Sequence, residues 1–334
     1  MKIDKFKDKK YTFDEREYIY SLKVLAVISI VSAHCVVIQQ NSNELNILFS
    51  WMLEQIGSIG VGVFYIISGY LFYRNKYCIK DFFKRKVKSL FIPWIVVGTG
   101  VYLYIFIRKG NLGISTWLAF ILGDGSYLYF LTLLIIFYLI FFYYTKNNLF
   151  LIFNIFCSIV SIILTSLGLI RGINPYLNVF NFIGYFAIGI LIANKTTIMR
   201  FGRKINSYKY DLIVVYILLL IIIYICNISS GYWGNATLIM QPISIMLIFA
   251  ISFNEYLYND CILEIGKFSF SIYLLHMPVA GIVSKILNIA GLWGLTLLRP
   301  FIVIFITIVF IHFYIHISDK FIKKINTKLL IGIR

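Results

Sequence analysis

The sequence predicts an all-α, polytopic bundle of about ten membrane-spanning helices with both termini in the cytoplasm, and three observations carry that reading. First, 60% of the 334 residues are hydrophobic and 13% are charged, with a mean hydropathy of +0.86. A soluble domain has roughly 45–50% apolar and about 25% charged residues. About 200 apolar residues, at roughly 20 per span, allow up to ten crossings and leave almost nothing for a water-exposed domain. Second, the apolar residues gather into ten segments bounded by charged and turn residues, near 18–40, 47–73, 89–107, 125–144, 149–170, 175–194, 212–228, 236–254, 268–289 and 300–318. Third, Lys and Arg alternate between the connections. With the N-terminus inside, 25 of the 31 fall in the even-handed set 1–17, 74–88, 145–148, 195–211, 255–267 and 319–334. Five (Arg108, Lys109, Arg171, Lys285 and Arg299) fall on the other side, and Lys23 lies within the first span. That asymmetry orients the helices. It also accounts for the net charge of +17 without nucleic acid. A soluble enzyme, a disordered chain, a secreted disulfide scaffold and a DNA-binding domain are excluded.

Taken in order, the first segment has Val31-Ser32-Ala33 resembling a small-residue cleavage site, but many further apolar segments follow it, so it reads as an uncleaved span. It carries Lys23 and His34. Eleven residues are roughly 16 Å along a helix and return to within about 20° of the same face. Lys23, Val27, Ile30 and His34 therefore form one stripe, with a cation near the cytoplasmic end and an imidazole deeper in. A titratable group inside a span is costly and points to function. The second segment holds Gly57, Gly60, Gly62 and Gly69, which permit close helix packing. The third is entered through Asp81-Phe82-Phe83-Lys84-Arg85-Lys86-Val87-Lys88 and ends its approach at Pro93-Trp94. That run is either a positive-inside anchor or a phosphate clamp, since Arg grips phosphate through two parallel donors. Runs such as Leu212–Tyr224 are apolar on every side, which excludes a β-barrel with its alternating strands. The ninth segment contains His276 just before Pro278, and the last has His312 and His316 one turn apart. No third ligand accompanies that pair, and the five Cys (35, 78, 157, 226, 261) form no C-x-x-C, so no metal site is expected. With no repeat or linker, residues 1–334 read as one domain.

Several of these pieces, in order and at plausible spacing, resemble the membrane-bound acyltransferase-3 family, whose members acylate surface carbohydrates and other acceptors. The opening motif of that family, a basic residue and then a His after ten positions, is matched by Lys23 through His34. Gly62-Val63-Phe64-Tyr65-Ile66-Ile67-Ser68-Gly69-Tyr70-Leu71 is similar to its second-span signature, and Arg85-Lys86-Val87-Lys88 to its R-x-x-R element before a Pro. Ser271-Ile272-Tyr273-Leu274-Leu275-His276 resembles its late motif, and Tyr127-Leu128-Tyr129-Phe130-Leu131 its aromatic fourth-span motif. The chain departs from the pattern where Tyr20 replaces an acidic residue and where Lys23 and Lys88 replace Arg.

The resemblance implies a multi-pass protein of a bacterial plasma membrane that transfers an acyl group from cytoplasmic acyl-CoA, most simply acetyl-CoA, to a hydroxyl of a surface polysaccharide or lipid-linked glycan. Acyl-CoA would be a cosubstrate and no cofactor would be held. Lys23, Arg85 and Lys88 would hold the CoA phosphates, and His34 would act as general base or acyl relay. Tyr273, His276 and Ser68 would line the site. Membrane lipid, acyl-CoA and the glycan acceptor would be the partners. Two rivals stand beside this reading. An exporter or flippase of a polysaccharide or lipid-linked sugar would show internal repeats and helices broken at mid-membrane, neither of which the sequence displays clearly. A non-catalytic sensor or structural subunit would use Lys23 and His34 for packing alone.

Overall fold

The computed structural model describes residues 14–36, 44–74, 79–107, 112–144, 147–229, 231–289, 293–321 and 327–333. Among them there are helices and turns and no strand. The chain opens with α1 (Glu15–Ala33), which starts where Asp14 caps it and Glu17 returns a bond to the cap backbone. This reciprocal arrangement satisfies donors that a helix end otherwise leaves open. Then come α2 (Glu44–Gly57), α3 (Gly60–Arg74), α4 (Ile79–Lys86), α5 (Ile92–Ile107), α6 (Ile114–Leu122), α7 (Tyr129–Phe141) and α8 (Asn148–Ser166). The second half holds α9 (Phe180–Lys195), α10 (Ile198–Asn206), α11 (Lys209–Ile225), α12 (Thr237–Ile251), α13 (Asp260–Ile289) and α14 (Arg299–Phe321).

Among the described residues, five helical stretches are long and apolar enough to cross a membrane: Glu44–Arg74, Asp81–Ile107, Asn148–Ser166, Asp260–Ile289 and Leu295–Ser318. The bent pair Phe180–Lys195 and Ile198–Asn206 makes a sixth if it is one span. Each of the ten expected apolar segments contains a helix, but several are short; α7 has 13 residues and α12 has 15. Leu149, Phe156, Ile225 and Phe305 are among many large apolar side chains left exposed, a surface suited to lipid rather than water. The protein is therefore a multi-pass helical membrane protein.

Two sequence expectations need correction. The first helix ends at Ala33, not residue 40, so His34 is its C-cap; residues 37–43 lie outside the described set, as do Arg108 and Lys109. Arg299, assigned to a connection, is buried at the start of α14 and donates from Nη2 to Asn288 Oδ1 at 3.1 Å. The second span holds as one stretch, Glu44–Arg74, with a short interruption in its helix. α2 stops at Gly57 and α3 starts at Gly60. Backbone groups freed inside a membrane must find partners. Here Ser29 of α1 supplies one: its hydroxyl donates to Ile56 O at 2.5 Å and accepts from Gly60 N–H at 2.8 Å.

The core is aromatic. Tyr65, Phe137, Phe182 and Phe186 are fully buried, and Tyr65 packs on both Phe137 and Phe182 with centroids 5.1 and 5.6 Å apart. The backbones of α3 and α9 approach each other closely at two glycines. A Cβ added at Gly69 would collide with Phe186 O, and one at Gly189 with Ile66 O while lying 2.8 Å from Tyr70 N. Backbone cannot step aside as a flexible side chain can. Gly189→Ala is therefore expected to cost about 3 kcal/mol, the upper end for overpacking. Gly100→Ala, where nothing lies within 4 Å, should be neutral. Thermal unfolding of the two purified variants in one detergent checks the contrast.

Candidate functional site

Two cavities open toward opposite ends of α1. The first, about 740 Å³, is bordered by Arg16, Tyr20 and Lys23 from the N-terminal half of that helix. Lys86, Lys267 and Lys328 add three more cations, and Ser68, Ser89, Phe130 and Tyr273 reach its wall. No Asp or Glu is among its described lining residues, so it is a positively charged space. Tyr20, which stands where the family pattern has an acid, organises two of the cations. Its hydroxyl accepts from Arg16 Nε at 3.0 Å, and Lys23 Nζ lies 5.6 Å from its ring centroid. An aromatic face attracts a cation without adding a negative charge.

The local sequence explains how Lys86 arrives there. Phe82, Lys86 and Ser89 fall at i, i+4 and i+7, so one stripe of α4 and the following turn faces inward. Phe82 and Ser89 are buried. Lys86 Nζ donates to Tyr138 Oη at 2.8 Å, with its charge 5.3 Å from the Phe82 ring. Beyond Lys86 the helix widens into a π-turn over Val87–Phe91, where Ile92 N–H bonds to Val87 O. Pro93 has no N–H to offer Ser89 O, which removes the ordinary i→i−4 bond at that point. Such bulges often sit at functional sites.

The second cavity, about 380 Å³, is bordered by Ile30, Ala33 and His34 from the C-terminal end of α1 and by Gly57 at the broken span. Tyr127, Tyr129, Tyr176 and Tyr232 make it an aromatic space, with Ser126 and Asn174 as polar points. The turn after α6 brings Ser126 and Tyr127 into it. Gly123 carries φ +97°, and a Cβ there would strike the backbone of Tyr129, so only glycine fits.

A thin wall separates the two spaces. The Tyr127 hydroxyl donates to Leu274 O at 2.7 Å, and the Tyr273 hydroxyl donates back to Tyr127 O. Tyr273 faces the basic cavity and Tyr127 the aromatic one. Within this wall His276 is fully buried, its ring 5.1 Å from that of His34 and 5.4 Å from that of Tyr127. His276 Nδ1 lies 2.7 Å from Tyr273 O and 3.2 Å from Ile272 O. Carbonyls only accept, so Nδ1 carries the hydrogen and Nε2 holds a lone pair. That Nε2 has no hydrogen-bond partner among the described residues. His34, by contrast, is exposed to the aromatic cavity.

An acyltransferase domain family model matches residues 16–316. The chain belongs to the acyltransferase-3 family. No curated protein and no solved structure matches it. For this acyltransferase the matched span begins at the first turn of α1 and takes in the whole His34–His276 wall. Of the lining residues described above, only Lys328 lies beyond it.

The acyltransferase brings some expected site residues together and separates others. Lys23, Ser68 and Tyr273 share the basic cavity, His34 lies on the aromatic one, and His276 stands between. Arg85 and Lys88 are exposed and do not line the basic cavity; Lys86, between them in sequence, takes that place. The Phe82–Lys86–Ser89 stripe is the signal that would have identified it. Lys267 and Lys328 had no such signal, because only the fold carries them to α1. His312 is held at 3.6 Å by Glu264, against the ring of Phe268, well apart from His276 in its contacts. Among the described residues no three His, Cys, Asp or Glu side chains gather as a metal would require.

Proposed function

We propose that the protein is an O-acyltransferase that moves an acetyl group from cytoplasmic acetyl-CoA to a hydroxyl of a surface polysaccharide or its lipid-linked precursor. The observation that carries this reading is the pair of cavities, one cationic and one aromatic, divided by the His34–His276 wall. The cations suit the phosphates of CoA. The tyrosine-rich space suits a sugar, whose ring faces pack on aromatic side chains and whose hydroxyls need a few fixed polar partners. The thioester end of the donor enters past Ser68 and Tyr273 and meets the acceptor hydroxyl beside His34.

The reaction then needs one base. His34 takes the proton from the acceptor hydroxyl as its oxygen attacks the thioester carbonyl. The carbon–sulfur bond breaks, and the departing thiolate takes the proton back from His34. His276, pinned by two backbone carbonyls, is a positioning residue that fixes the neighbouring imidazole. In this reading the chain makes ten spans in a bacterial plasma membrane with both termini cytoplasmic and the basic cavity on the donor side, and the 25-to-5 division of Lys and Arg supports that orientation.

One observation favours the rival exporter: α2 and α3 form a broken span, a feature of carriers. Labelled acetyl-CoA separates the two. Added to inverted membrane vesicles that contain the glycan precursor, it is expected to label the glycan only when the protein is present. Unlabelled glycan, together with glycan transport that depends on the protein, would overturn the transferase in favour of the carrier.

A further inference from the structure

Away from both cavities, an apolar cleft of about 450 Å³ lies between α8, α9 and α12. Ile159, Ile188 and Ile245 line it, and several of its few polar groups already have partners: Tyr185 Oη donates to Gln241 Oε1 at 2.5 Å and the Thr237 hydroxyl to Gly231 O at 2.6 Å. One end is closed by α10. The chain bends by 99° from α9 into this helix, which therefore runs across the bundle rather than along it. α10 is sharply two-faced. Ile198 and Gly202 are buried and Phe201 and Ile205 line the cleft, while Arg200, Arg203 and Lys204 are exposed. At 100° per residue, Arg200 and Lys204 stand about 60–100° around the helix from Phe201, at the edge of the apolar face. Segment 195–211 holds five Lys and Arg against one Asp. A helix with this division lies in the headgroup plane, and its cations select lipid charge.

We propose that the cleft holds an acyl chain of an anionic phospholipid whose phosphate lies against Arg200 and Lys204. An apolar space bordered by a helix that carries exposed cations beside its apolar face matches a molecule with a hydrocarbon tail and an anionic head, and a neutral-headed lipid would fill only half of that match. The lipid also has a route to the rest of the fold. Gly202 abuts the hydroxyl of Tyr18 on α1, and that hydroxyl donates to Phe249 O of α12 at 2.9 Å. A lipid wedged beside Phe201 thus braces α10 against the helix that carries Lys23 and His34.

The test is native mass spectrometry of the detergent-purified protein offered equal amounts of phosphatidylglycerol and phosphatidylcholine. Wild type is expected to retain phosphatidylglycerol at least tenfold over phosphatidylcholine. Each cation near an anionic head is worth roughly fivefold, so Arg200→Gln and Lys204→Gln together should erase the preference. These are exposed positions, and the double variant should fold normally. Ile188→Trp with Ile245→Trp fills the cleft and should remove both lipids. Independently of any variant, phosphatidylglycerol with a photoreactive group in its chain should crosslink to peptides of α8, α9 and α12. Equal retention of the two lipids by wild type, an unchanged preference in the Arg200→Gln, Lys204→Gln variant, or crosslinks confined to other helices would overturn the proposal. Displacement of the lipid by soluble glycerol phosphate at similar concentration would overturn the role of the cleft.

Discussion

His34→Ala is expected to reduce the acetyl content of the surface glycan to background while the protein still inserts and the amount of exported glycan is unchanged. General-base assistance is worth roughly 10²–10⁴-fold in rate, and the acceptor hydroxyl has no other base within the aromatic cavity as described: its lining holds no second histidine and no carboxylate. His34→Gln keeps a polar side chain of similar size but cannot cycle a proton, so it should fail as badly. Both variants should fold, because His34 sits at the end of α1, exposed to a cavity, and is not part of the packed core. His276→Ala provides the comparison. Loss of a positioning residue should lower kcat and leave the KM for acetyl-CoA near its wild-type value, because His276 itself lines neither cavity. Normal acetylation in His34→Ala would remove the imidazole from the reaction. Loss of export with the remaining glycan fully acetylated would move the protein to the carrier class.

The second large effect is expected at Lys86. A hydrogen bond to a charged group contributes about 1.5–3 kcal/mol, which corresponds to a rise of roughly 10- to 100-fold in the KM for acetyl-CoA in Lys86→Met. Methionine keeps the aliphatic stem against Phe82 and removes only the charge. Arg85→Gln combined with Lys88→Gln should change that KM by less than about twofold, since both side chains are exposed outside the cavity and surface charges are screened. Steady-state kinetics on solubilised protein with acetyl-CoA varied distinguishes them. The opposite ranking would return the donor clamp to Arg85 and Lys88 and make Lys86 a packing residue.

These contrasts mark what the amino-acid sequence disclosed and where it stopped. Helical membrane architecture was legible because lipid imposes long apolar runs and a Lys and Arg bias that survive any detail of packing. The Lys23–His34 stripe was legible because one helix carries both residues, and helical phase is local information. Arg85 and Lys88 stand out by residue type, whereas helical phase carries Lys86 to the basic cavity. The approach of His276 to His34 joins residues 242 positions apart and depends on how α1 and α13 pack, which no local pattern encodes. The break at Gly57–Gly60 was hidden for another reason: its glycines read equally well as packing positions, and the group that stabilises the break, Ser29, belongs to a different helix.

That serine also constrains how the machine can work. A transporter that alternates between two faces must shift its interrupted helix relative to its neighbours during every cycle. Here the interruption is latched: one hydroxyl on α1 ties the last turn before the gap to the first amide after it. Sliding α1 by a single residue would strand a carbonyl and an amide in hydrocarbon, at a cost of several kcal/mol for each. The helix bearing Lys23 and His34 is thus locked in register with the gap beside it. For the acyl transfer proposed above, a stationary partition of this kind would let two reactants arrive from opposite sides and exchange a small group through it, while neither large molecule has to cross.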